Sequence, residues 1–127
     1  MRIENGRVAG VKFRAANSMG GTLVPRYVVV HDTAGRLTPY SSCDWFASKQ
    51  CTTSAHFVVE RDGTVTQMVP LDRKAFHAGV SKWKGQTGLN SSSIGIEIVN
   101  PGKMDETGKA CFGACCSPDE IEHKSTP

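Results

Sequence analysis

No run in this 127-residue chain approaches the roughly 18 consecutive apolar residues that a membrane-spanning helix needs. Its first ten residues, MRIENGRVAG, lack the apolar core of an export leader. Cytoplasmic residence is therefore expected, or release to the wall by lysis if the source is a phage. No Lys/Arg-dense run occurs, and the net charge is only +3, so neither nucleic acid nor a membrane is called for as a partner. Internal repeats are absent, as is any long amphipathic helical pattern. The five cysteines are odd in number and lack a leader beside them, which argues against a disulfide framework.

What is present is an ordinary globular composition, 39% apolar and 21% charged, in one domain's length of chain. Residues 27–31, YVVVH, are β-branched and apolar nearly throughout, which predicts a central strand buried on both faces. Ser41 opens S-S-C-D, a capping-box pattern that predicts a short helix through Trp45, Phe46 and Lys49. Two strand-like runs, 55–60 and 64–69, meet at Arg61-Asp62-Gly63, where Asp-Gly predicts a tight hairpin with φ > 0 at both central residues. Residues 71–92 read as a long polar loop, a length that usually carries function. In the strand SIGIEIVN (93–100), Ile94, Ile96 and Ile98 share one face, and Gly95, Glu97 and Val99 the other. The segments are thus an N-terminal stretch (1–26), a core (27–102) and a polar, Cys-containing tail (103–127).

Few residues in this pattern can carry chemistry. Glu97 lies inside an isoleucine-rich strand, so its carboxylate must be paired, hydrogen-bonded, open to a cleft or simply turned to solvent. His31 ends an apolar strand and is a metal ligand, a catalytic base or a packed core residue. His56 sits within a strand, His77 in the loop as F-H-A-G, and His123 in the tail. Cys111, Cys115, Cys116 and His123 have the residue types of a metal knuckle, but their spacing is not the usual paired C-x2-C.

Four stretches in order, VVVHDTAG, SAHFVVERDGTVTQMVP, DRKAFHAGVSKWKG and NSSSIGIEIVNPG, resemble the zinc-dependent N-acetylmuramoyl-L-alanine amidase domain of bacterial and phage cell-wall amidases and peptidoglycan-recognition proteins. The resemblance runs from about Tyr27 to Gly102. It implies an α/β fold, a mixed central β-sheet with flanking helices, and a groove holding one zinc. It implies hydrolysis of the amide between N-acetylmuramic acid and L-alanine, with peptidoglycan or muropeptides as the partner. His31 falls on the first zinc-binding histidine and Glu97 on the general base. His77, Ala78 and Gly79 fall on the loop that lines the substrate, with Trp83 nearby. Asn90 falls on a substrate-contacting asparagine, and His56 on a structural histidine. Ala55 stands where other members place a catalytic tyrosine, which puts this chain with the glutamate-using branch.

Two further zinc ligands, expected in a stretch resembling H-x-x-I-x-P-G-R-K-x-D, have no counterpart here. The fold is therefore expected to be incomplete at the C-terminus, with a sheet face left uncovered. Three functions remain open: an amidase, a muropeptide-binding module that does not cut, and a metal or redox role for the tail cysteines.

Overall fold

A computed structural model describes residues 1–107, and the tail residues Cys111, Cys115, Cys116 and His123 lie outside them. In chain order the strands are β1 (Ile3–Glu4), β2 (Arg7–Val8), β3 (Lys12–Phe13) and β4 (Tyr27–Asp32). Helix α1 (Ser41–Ala47) follows, then β5 (Phe57–Val59), β6 (Val65–Gln67), β7 (Lys82–Trp83) and β8 (Gln86–Thr87). A 3-10 turn (Leu89–Ser91) leads into β9 (Ser93–Ile98). The main sheet has five strands in the order β3-β6-β5-β9-β4, flanked by the small hairpins β1-β2 and β7-β8. Only β5 and β6 pair antiparallel in it, and the other three pairings are parallel. This is the expected mixed sheet, with one α-helix and one 3-10 turn among the described residues.

The β4–β9 register sets Tyr27 opposite Ser93, Val29 opposite Gly95 and His31 opposite Glu97. Alternation puts those six residues on one face and Val28, Val30, Ile94, Ile96 and Ile98 on the other. The core lies on the first face. There Cys43 and Phe46 of α1 pack into one cluster with Ala55, Val58, Met68, Val69, Ala75 and Val99. Burying a side chain such as Val58 contributes about 1.5–3 kcal/mol. Asp44 anchors the helix by pairing with Arg14, just past β3.

Five local expectations are corrected. Strand β4 is an edge strand, not a central one, and its residues alternate in burial. A continuous apolar run cannot reveal a missing neighbour, and Val28 and Val30 remain 62% and 59% exposed. Helix α1 stops at Ala47 because Ser48 is already extended. Its capping box is not formed: Tyr40, at φ +62°, is the N-cap, and the Ser41 hydroxyl donates to the Arg36 carbonyl instead.

The β5–β6 turn uses three residues. The Gly63 N–H donates to the Glu60 carbonyl, and of the three only Gly63 has positive φ (+87°). That is a type I turn closed by a glycine bulge, with Asp62 accepting the Thr64 N–H at 2.8 Å. Finally, segment 71–92 is not structureless, since it contains β7, β8 and the 3-10 turn.

Among the described residues nothing packs over Val28, Val30 and Ile98, the last 43% exposed. An apolar patch of this kind favours association. The double variant V28T/V30T should bind less of a hydrophobic dye and self-associate less than the parent. Its unfolding free energy should change by less than about 1 kcal/mol, because neither side chain is in the core. Denaturant melts and sedimentation check both.

Candidate active site

Strands β4, β5 and β9 run parallel, so their carboxyl ends share one edge of the sheet. Ligands of open parallel sheets bind beyond that edge. A cavity of about 1060 Å³ opens there, between the Asp32–Arg36 loop, α1, the Phe76–Gly79 segment and Glu97. It is large enough for a ligand of several linked units.

Glu97 lines this cavity. Its carboxyl pKa is pushed up to about 7, first by burial and then by the nearby Asp32 charge. Such a group exchanges protons near neutrality, as a general base must. His31, its register partner, places Nε2 2.9 Å from Nδ1 of His77. Burial holds the pKa of His31 below the ordinary value, against the raising influence of Asp32. His77 is lowered further, to about 4, by burial and then by the neighbouring rings of His31 and His56. Its Nε2 lies 3.2 Å from Ser93 Oγ, and that hydroxyl donates to the Leu89 carbonyl at 2.6 Å.

His56 is wholly buried and fully bonded. The Gly95 N–H donates to its Nδ1 at 3.0 Å, and its Nε2–H donates to the Arg73 carbonyl at 2.8 Å. It therefore ties β9 to the 71–75 segment. Burial lowers its pKa, only partly offset by the Arg73 bond. The ring of His77 rests directly on Gly95, where a Cβ would lie 2.6 Å from its Cδ2. Gly95 is thus bare because an imidazole needs the space.

His77, Gly79 and Asn90 line the cavity, but Ala78 and Trp83 do not. Trp83 projects from the β7-β8 hairpin with 55% of its surface exposed. Asn90 also has a job within the chain: its Oδ1 accepts the N–H groups of His77 and Ala78 at 3.0 and 2.8 Å. Sequence reasoning missed the arm of the cavity formed by Arg36, Ser41, Ser42 and Trp45. No motif marks them, and only the position of α1 beside the 32–36 loop brings them there.

Among the described residues no three His, Cys, Asp or Glu side chains are gathered so as to hold a metal ion. Nε2 of His31 is engaged by His77, which leaves its Nδ1. Residues 1–107 do not by themselves form a zinc site.

The family model described as N-acetylmuramoyl-L-alanine amidase matches residues 21–117. A 45-residue stretch is 51% identical to the 1,6-anhydro-N-acetylmuramyl-L-alanine amidase AmpD of Escherichia coli K12, covering 35% of this chain and 25% of that protein. The N-acetylmuramoyl-L-alanine amidase AmiD of the same organism is 35% identical over 104 residues, or 76% of this chain and 36% of its own length. The matched stretches thus span well under half of either curated relative. Among solved structures, a selenomethionine AmpD derivative superposes with a TM-score of 0.61 at 26% identity, covering 79% of this chain and 66% of that one. AmiD from E. coli, in complex with the substrate anhydro-N-acetylmuramic acid-L-Ala-D-γ-Glu-L-Lys, superposes with a TM-score of 0.54 at 35% identity, over 70% and 35% of the two chains.

Two outcomes follow from the packing and the charges. Gly95→Ala should destabilise the protein by about 1–3 kcal/mol through overpacking against His77, measured by urea unfolding. Glu97 is raised in the folded state, so its stabilisation is complete below its unfolded value near 4.5 and is lost as the pH rises through about 7. Glu97→Gln should therefore melt at the parent's temperature at pH 4 and above it at pH 8. The three depressed histidines act in the opposite sense, losing stability as the pH falls, but are common to both proteins and cancel in the difference.

Proposed function

This chain belongs to the N-acetylmuramoyl-L-alanine amidase family, and on that premise we propose that it cuts the amide joining the lactyl group of N-acetylmuramic acid to L-alanine. The observation that carries the reading is Glu97, a carboxyl facing the cavity with a pKa near 7, directly across the β4–β9 register from His31. Glu97 takes a proton from the attacking water and delivers it to the departing alanine nitrogen. The cavity, with His77, Gly79 and Asn90 on one side and Trp45 and Arg36 on the other, holds the muropeptide across Glu97.

Zinc belongs to this reading through the family. His31 is the residue of 1–107 that would ligate it, and no further ligands are gathered beside His31 among the described residues.

A second reading has its own support. A cavity with Glu97 on its wall but, among the described residues, no gathered metal ligands suits a muropeptide-binding module that does not cut. Incubation with a purified muropeptide and added zinc separates the two. Release of stem peptide with a free L-alanine amino terminus is expected, and Glu97→Gln should lower its rate by about 10²–10⁴-fold. Binding without release selects the second reading, and neither binding nor release overturns both.

A further inference from the structure

His77 has a role beyond lining the cavity, and it follows from counting protons along a chain of hydrogen bonds. Ser93 Oγ has one hydrogen, and the 2.6 Å contact with the Leu89 carbonyl, which can only accept, takes it. Toward His77, Ser93 Oγ is then an acceptor, so the hydrogen in the 3.2 Å contact sits on His77 Nε2. A neutral imidazole with its proton on Nε2 has a lone pair on Nδ1. The 2.9 Å contact between His77 Nδ1 and His31 Nε2 must therefore be filled by a proton on His31 Nε2. The one lone pair left to His31 is on Nδ1.

We propose that His77 is a positioning residue that fixes the tautomer of His31, so that His31 offers Nδ1, and not Nε2, to whatever it binds. The anchor of the relay is a backbone carbonyl in the 3-10 turn just before β9, so the assignment is built into the fold. Each link is held from another direction. Asn90 Oδ1 grips the backbone N–H of His77, and bare Gly95 gives its ring a seat. His56 stands edge-on to that ring, with centroids 6.2 Å apart. An imidazole oriented and tautomerically fixed by a second hydrogen bond is a better ligand than a free one. The inference deepens the assignment of His31 made above, but it concerns the free chain and is read without metal, substrate or cleavage. It can fail while the amidase reading stands, and the reverse.

The test is a long-range ¹H–¹⁵N correlation spectrum of the ¹⁵N-histidine-labelled 127-residue chain at pH 8, metal-free, with His31 assigned from the H31Q spectrum. His56, donating from Nε2 and accepting at Nδ1, serves as an internal reference for the Nε2–H pattern. The expected result is the Nε2–H pattern for both His31 and His77. His77→Leu removes the acceptor and should let His31 average between tautomers. His77→Asn places an amide oxygen where Nδ1 was and should restore the His31 Nε2–H pattern. Ser93→Ala should loosen the tautomer of His77 with the fold retained. An Nδ1–H pattern for His31 in the parent chain overturns the proposal. So does a His31 pattern unmoved by His77→Leu in a protein whose amide spectrum shows it folded. If His77→Leu does not fold, the parent spectrum and Ser93→Ala still decide.

Discussion

The parallel pairing of β4 with β9 is the constraint from which the site follows. With His31 opposite Glu97 and a side-chain period of two, both side chains fall on the face that also carries the core, at the carboxyl ends of their strands. A slip of one residue would turn Glu97 to the isoleucine face and leave His31 without it. Because the strands are parallel, the chain must cross over between them. The crossover brings α1 and the 76–90 segment beside the 32–36 loop, where they wall the cavity, while β5 and β6 join the sheet itself.

A second dependency concerns space. His77 can rest on β9 only because Gly95 has no side chain, and it can reach His31 only because Asn90 holds its backbone in place. His56 secures the same strand from the other direction through the Gly95 N–H. Three histidines are thus packed side by side, each made less basic by burial. The carboxyl beside them is made less acidic for the same reason. Depressed imidazoles and a raised carboxyl are one electrostatic fact, the cost of holding charge away from water.

The two faces of the sheet are unequal. One carries the core, the helix and the cavity. The other shows Val28, Val30 and Ile98 to solvent among the described residues. The stretches matched to the curated amidases cover well under half of those proteins' lengths. Glu97 and the cavity lie within residues 1–107, and among these residues no three metal-ligating side chains are gathered.

The sequence by itself determined the family, the strand that carries Glu97, the division of β9 into an isoleucine face and a glycine-glutamate face, and the candidacy of His31. These are matters of periodicity and of motif order, which are local. It did not determine that β4 lies at an edge, because an apolar run looks the same whether one neighbour or two will pair with it. Nor did it determine the helix cap, since Ser41 meets the Arg36 carbonyl only once the 32–40 loop has folded. The role of His56 was legible as structural but its partners were not, and the roles of Gly95 and Asn90 were hidden, for each acts through a partner at least twelve residues away. Only the tertiary structure joined His31 to His77 across 46 residues. A hydrogen bond depends on distance and direction in space, and those exist only after the crossover has closed.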